Sequence, residues 1–567
     1  MRRRALILAV VLSAAALTVA PFARAATQEV FAAGDQFVPP AVAAGSGDSL
    51  TFVNTDLASH NITSVPVGQF ATTVNVAPGS SGAVWGVSKL KPGQYQFVCT
   101  LHPGMTGVLY VGAAGAPSAG GVPVPSGGGG GPNPATLLPA VPPAPLSPGD
   151  WAFYGGDLSN SRNGGSRGPS WNEVATLGPV WSFHSTVGDF TGTPVLSHGI
   201  LVAGAFGGTV FGLDASTGKL RWSHDFKQPI NGSAAIAGGR VFVPLAKPGA
   251  PAVAALRLRD GKPLWQRRID WQHDADVYGS PVVWNRRVYI GVSALFGETS
   301  DPKVSTRGAV VALSARTGRR LWKTFTVPPH HDGGAVWTTP AIETRTGRVY
   351  VGTGNAYHAP AASTTDSLLA LSAQTGRLLA HHQSTAGDVW NETGNVTSGP
   401  DADFGASPQL IRGPDGHALV GEGQKSGTYW AFDRRTLRPA WNTTIGPSAS
   451  FAGGIVGSTA YDGNRIYGPN TPAGEMWALG RGGQLAWVSS DGGPLHFSPV
   501  SVANGVVYSV DMSGFLSARE AATGVVIARL PIGGPSWGGV AIAGGYVFAV
   551  TGIEASSGYV VAYRPRG

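Results

Sequence analysis

The chain has 567 residues, 83 of them Gly and 43 Pro, and only 13% are charged; this composition disfavours long helices and suits short strands joined by tight turns. The formal charge is +8, but Arg2, Arg3, Arg4 and Arg24 fall in a segment expected to be removed, which leaves about +4. That remainder is too small and too scattered to favour a nucleic-acid partner, and no later stretch is apolar for long enough to span a bilayer.

The opening "MRRRALILAVVLSAAALTVAPFARA" has a basic start, an apolar stretch and a small-x-small end at Ala23-Arg24-Ala25. It predicts a signal peptide over 1–25, cleaved after Ala25, and hence a secreted, periplasmic or cell-envelope protein with no membrane span after cleavage. The pattern leaves the export route open. The one cysteine, Cys99, cannot form an internal disulfide in an oxidising compartment, so it is either a liability or a ligand.

Residues 26–112 alternate apolar and polar positions in "DSLTFVNTD", "GQYQFVCT" and "TGVLYVG", which predicts a small β-sandwich. Four residues there suit a soft metal: His60 on a turn, then Cys99, His102 and Met105 on the loop of "QFVCTLHPGMTGVLYV". Two imidazoles, a thiolate and a weak thioether fit copper cycling between two oxidation states, whereas zinc prefers four strong ligands. The H-N pair at 60–61, the C-x-x-H-x-x-M loop and the early strand "FAAGDQFVPPAVAAGSGDSLTFVNTD" together resemble a cupredoxin of the plastocyanin/amicyanin type. The resemblance implies that His60, Cys99, His102 and Met105 ligate a type 1 copper, with Asn61 bracing the ligand loop. Residues 113–147 are almost wholly Gly, Pro, Ala, Ser and Val; they read as an extended linker with nothing to pack a core.

From about 148 to 567 the chain repeats itself. One piece is "VFGLDASTGKLRW", "VAALRLRDGKPLW" and "VVALSARTGRRLW", with degenerate copies after it; a second opens each repeat with small residues, from "TGTPVL" to "WGGVAI"; a third is a strand such as "GRVFV" or "GRVYVGTG". Eight openings and about four short strands per unit predict an eight-bladed β-propeller, with the final "GYVVAYRP" pairing near the start of the domain to close it. The expected fold is therefore all-β, a cupredoxin sandwich followed by a propeller. The spacing from Trp181 to Trp222 to Trp265 is 41 and 43 residues, but the next step, to Trp322, is 57, so the middle blades carry enlarged loops.

The A-L-D-A-x-T-G-K-x-x-W repeat resembles that of pyrroloquinoline quinone (PQQ) proteins, from "WAFYGGDLSNSRN" to the end. Motifs in the enlarged blades resemble those of quinoprotein alcohol dehydrogenases, and the wording around "GQKSG" and "DFGASP" is similar to polyvinyl alcohol dehydrogenase-like members. The resemblance implies that Trp337 of "GGAVWTTPAI" stacks on PQQ, Asp403 of "DADFGASPQL" is the catalytic base and Lys425 of "GEGQKSGTYW" contacts the quinone oxygens. It also makes Asn355 of "VGTGNAYHAP" and Glu298 of "GVSALFGETS" calcium ligands. The family's adjacent-cysteine pair is absent. Gly405, two residues after Asp403, stands where lanthanide-dependent relatives carry a second acid, so calcium is the expected ion.

No C-x-x-C-H haem motif exists, so the copper domain takes the place of a haem domain. The expectation is an exported alcohol dehydrogenase that oxidises a small-molecule or polymeric alcohol and passes electrons through copper to an external acceptor. Two other classes stay open: a non-catalytic propeller scaffold with a copper domain, and a copper reductase, which one cysteine and 13 histidines argue against.

Overall fold

The computed structural model describes residues 27–32, 37–38, 41–54, 59–65, 69–72, 75–77, 80–99, 101, 105–112, 133–391, 396–397, 399–446, 453–471, 474–490 and 496–566. The expected signal segment 1–25, residues 113–132 of the expected linker, and the expected copper ligand His102 lie outside the described residues.

The N-terminal unit is one nine-stranded ladder built around a single core that includes Val30, Phe37, Phe52, Phe70, Phe97 and Leu109. Alternation works as read: in Ser49–Asn54 the side chains of Leu50, Phe52 and Asn54 turn inward while Ser49 is exposed. Strands Gly93–Val98 and Thr106–Val111 pair antiparallel, and the Cys99 N–H donates to the Met105 carbonyl at 2.9 Å, which pins the loop between them.

The remainder contains eight four-stranded antiparallel sheets among the described residues. The first blade is Val195–Ser197, Ile200–Gly204, Thr209–Asp214 and Leu220–Asp225, and six more follow as the same meander. The eighth takes three strands from the C-terminus and its outermost, Leu177–Ser185, from the start of the domain; that strand pairs with Gly558–Pro565 and closes the ring as expected.

Each letter of the repeat has a local task. The Asp214 carboxylate accepts the N–H groups of Ser216 and Thr217 and so fixes the turn. The Trp of one blade packs on the turn of the next: Trp181, Trp222, Trp265, Trp322 and Trp487 donate Nε1–H to the carbonyls of Ala215, Leu258, Ala315, Ala373 and Ala521 at 2.8–3.3 Å. The turn glycine lies under that indole. A Cβ on Gly376 would stand 2.6 Å from Trp322, and its φ is 75°, so both sterics and backbone demand Gly. Gly376→Ala is expected to cost about 1–3 kcal/mol, read as a fall in the propeller's Tm by scanning fluorimetry; an unchanged Tm would contradict this account of the repeat.

The segment 151–164 crosses one end of the ring. Main-chain bonds join it to successive blades, with Ile236, Ile342, Leu410, Tyr461 and Val502 donating to the carbonyls of Ala152, Leu158, Ser159, Ser161 and Arg162. Arg162 is fully buried and donates to the carbonyls of Tyr154 at 2.5 Å, Val500 at 2.6 Å and Val540 at 3.2 Å, and to Ser501 Oγ at 3.0 Å. Burial brings its guanidinium pKa down to about 10.

Residues 133–147 depart from the linker expectation. Pro134–Leu137 forms a helical turn, Val141 is buried, and Leu138 and Leu146 pack against the propeller core. Main-chain bonds link Val141 to Pro179 and Ser147 to Gly544, and the Tyr546 hydroxyl donates to the Ala144 carbonyl at 2.7 Å. Composition hid this because the attachment uses the main chain and a few isolated apolar side chains. No helix among the described residues is long and apolar enough to cross a membrane.

Candidate active site and metal centre

In a four-stranded meander, the connections between second and third strands and those from one blade to the next emerge on the same face. All five propeller residues read from sequence sit on such connections: Glu298 in 293–308, Trp337 in 326–340, Asn355 in 353–366, Asp403 in 384–408 and Lys425 in 424–427. The elaborated middle loops thus meet over one end of the ring.

The first residues of four repeat openings, Tyr278, Trp337, Phe497 and Trp537, give an aromatic rim to a cavity of about 150 Å³. Below the rim, hydroxyls link blade to blade. Ser233 N–H donates to Ser280 Oγ, Ser280 N–H to Thr339 Oγ1, Thr339 N–H to Ser407 Oγ and Ser407 N–H to Ser458 Oγ, at 2.8–3.0 Å. Pro499 and Gly539, which also line the cavity, have no hydroxyl, and Arg162 lies against Gly539. This lattice holds the peptides on either side of Trp337 rigid.

Asp403 is bound on both oxygens: Oδ1 accepts the Asn355 main-chain N–H at 2.7 Å and Oδ2 accepts Trp337 Nε1–H at 3.1 Å. Lys425 Nζ lies 2.8 Å from Asp401 Oδ1 and 3.4 Å from Asp403 Oδ2, and 5.7 Å and 5.9 Å from the rings of Trp337 and Trp390. Burial opposes the charged ammonium, but Asp401, Asp403 and Glu298 outweigh it and hold Lys425 firmly protonated. Burial pushes Asp401 up to about 7 against the pull of Lys425.

Glu298 sits on the short helix Leu295–Ser300, 3% exposed. Burial, then Asp403 and Asp401, push its carboxyl well above the usual range, and Lys425 and the Asn355 side chain oppose them. The structure thus brings all five together: Glu298 and Asn355 join Trp337, Asp403 and Lys425 in one cluster. Glu298 Oε1 and Asn355 Oδ1 are buried without a hydrogen-bond partner, while Asn355 Nδ2 donates to the carbonyls of Ala356 and Trp390 at 2.9 and 2.8 Å. Two orphaned oxygen acceptors among carboxylates are the donor set a hard cation takes. The indole of Trp337 and the cation of Lys425 suit a planar anionic quinone. The residues present therefore fit calcium and PQQ.

Sequence reasoning missed three members of this cluster. Asp401 precedes Asp403 by two residues, and the doublet in "DADFG" was its only signal. Trp390 flanks Lys425, and Asp388 accepts the N–H groups of Asp401 at 3.2 Å and Ala402 at 2.6 Å. Neither of these last two carries a sequence signal of its own.

In the N-terminal unit His60 is held by paired main-chain bonds to Val76, and its Nδ1 lies 3.8 Å from Cys99 Sγ. A His nitrogen and a Cys sulfur sharing one metal at ordinary bond lengths stand roughly 3.6–3.9 Å apart. The Asn61 N–H points at Cys99 Sγ at 3.4 Å and its side-chain amide donates to Asn75 Oδ1 at 3.0 Å, which ties this corner together. Met105 is buried beside it in the same core. These three residues fit a copper ion; His102 lies outside the described residues.

Fold and site together define a cupredoxin-like unit joined to an eight-bladed propeller of the PQQ type. A family model of PQQ-type repeats, described as outer membrane protein assembly factor BamB, matches residues 173–400 and 306–566, and one described as cupredoxin-like domain matches 5–111. The chain belongs to this PQQ-repeat propeller family. It is 29% identical over 331 residues to a polyvinylalcohol dehydrogenase of Pseudomonas sp, covering 52% of this chain and 50% of the relative, and 31% identical over 269 residues to that of Sphingopyxis sp. (strain 113P3), covering 40% of each. The chain thus spans half or less of the length of these relatives. The solved quinohemoprotein alcohol dehydrogenase ADHIIG from Pseudomonas putida HK5 superposes with a TM-score of 0.65 at 19% identity, covering 74% of this chain and 81% of that one, a likeness of fold.

Proposed function

We propose that this protein is an exported alcohol-oxidising quinoprotein that uses PQQ and calcium in the propeller and a type 1 copper in the cupredoxin unit as its electron exit. The observation that carries the reading is the pair of unpartnered buried oxygens on Glu298 and Asn355, set beside an Asp403 bound on both oxygens and a buried Lys425. The similar proteins named polyvinylalcohol dehydrogenase and quinohemoprotein alcohol dehydrogenase support it. The substrate is a small or polymeric alcohol, and the final electron acceptor lies outside the chain.

When bound, PQQ supplies a two-electron acceptor, calcium a polarising cation and copper a one-electron relay. Everything else falls to the chain. Trp337 provides an apolar floor, Lys425 a fixed positive charge at its edge, and Glu298 and Asn355 the oxygens that hold the cation. Asp403 Oδ2 accepts the alcohol's hydroxyl proton; the bonds from Trp337 and Asn355 keep that carboxylate from rotating away. Tyr154 lines the same axial cavity as Trp337, and Arg162 fixes its main chain by donating to the Tyr154 carbonyl.

The test is stopped-flow absorbance on copper-loaded protein purified from the exported fraction, with PQQ and calcium added. Alcohol is expected to bleach the blue absorbance, and to do so only when PQQ is present. Blue absorbance that persists would refute the coupling of the two domains. Failure to bind PQQ at all would favour a propeller scaffold or binding module carrying a copper domain.

A further inference from the structure

We propose that Asp401 is a positioning residue that holds the Lys425 ammonium off Asp403, keeping that carboxylate open to an alcohol hydroxyl; this rests on the chemistry assigned above to Asp403 and Lys425. The ammonium sits unequally between two acids, 2.8 Å from Asp401 Oδ1 and 3.4 Å from Asp403 Oδ2. All three side chains are 5% exposed or less. In so dry a setting an ammonium facing one carboxylate closes to direct contact, because no water remains to share either charge. A second carboxylate competing for the same ammonium is what stops it.

Asp401 is itself held for the task. Its φ of 54° lies in the left-handed region, which a non-Gly residue keeps only where its surroundings enforce it. Asp388 enforces it, since its two oxygens take the N–H groups of Asp401 and Ala402. Asp401 Oδ2 is buried with no hydrogen-bond partner, so the carboxylate is committed to Lys425 alone. The rings of Trp337 and Trp390 lie 5.7 and 5.9 Å from the ammonium and add their own attraction to its place between the acids.

The experiment compares full-length wild type, Asp401→Asn and Asp401→Glu. In the crystal structure of the cofactor-free Asp401→Asn protein, Lys425 Nζ is expected to move onto Asp403 Oδ2, closing 3.4 Å to about 2.8 Å. After loading with PQQ and calcium, kcat is expected to fall about 100-fold with the alcohol KM within about threefold, and Asp401→Glu to recover most of the loss. Asp388→Asn, which loosens the same turn but keeps the Asp401 charge, is expected to give a smaller fall in the same direction; it serves if Asp401→Asn does not fold. Nζ staying in place in the cofactor-free variant, or an unchanged kcat, would overturn the positioning role. That geometry is read without PQQ, so a wild type that shows it yet oxidises no alcohol overturns the proposed function and not the assignment of Asp401.

Discussion

Asp403→Asn is expected to lower kcat for alcohol oxidation about 1,000-fold, within the range by which a positioned general base speeds proton transfer. The amide has one acceptor where the carboxylate has two. Its oxygen can keep the Asn355 N–H at Oδ1, but its NH₂ then faces two donors, Trp337 Nε1–H and the Lys425 ammonium. A loss of about 1–3 kcal/mol in stability is therefore expected alongside the kinetic effect, visible as a lower Tm before any cofactor is added. PQQ binding, followed by quenching of tryptophan fluorescence, should persist because the Trp337 floor remains. A variant that keeps a tenth or more of wild-type kcat would remove Asp403 from the role of base.

Cys99→Ser is expected to abolish the blue absorbance and weaken copper binding by more than ~100-fold, the upper end of what losing even a supporting residue costs. Alcohol oxidation assayed with a small dye that draws electrons directly from the quinone site should continue at about the wild-type rate. Transfer to a protein acceptor should stop. This split separates the two halves of the reading: loss of dye-linked activity as well would mean that Cys99 serves the propeller's fold or chemistry. The Asn61 N–H aimed at Cys99 Sγ explains why the oxygen of serine is a poor replacement, since that corner is spaced for sulfur at 3.4 Å.

The propeller was legible because its repeat letters act locally. Asp214, Gly376 and Trp322 each leave a mark, since a turn, a positive φ and an indole on a glycine tolerate few other residues. The cupredoxin-like unit was legible because its strands alternate apolar and polar positions, as in Ser49–Asn54. Glu298 was harder to read. Its place in the cluster comes from the helix Leu295–Ser300 folding within its blade's second connection, a packing event that no spacing encodes. Asp401 was passed over because an acid two residues from the proposed base looks redundant on paper; the unequal distances to Lys425, 2.8 and 3.4 Å, are what set the two carboxylates apart. Residues 133–147 read as spacer because Pro and Ala hide an attachment made by carbonyls and amides.

The ring closes where Leu177–Ser185 meets Gly558–Pro565, and the segment 151–164 rests on blades formed by residues up to Val502. These contacts join parts of the chain that are hundreds of positions apart, so the last strand cannot be seated until almost all of the protein has left its site of synthesis. Bringing such distant partners together carries a loop-closure cost, and the same circularity means that no blade can peel away without opening its neighbours. Persistence of the ring is then a matter of rate, and half-life at elevated temperature measures it better than an equilibrium midpoint.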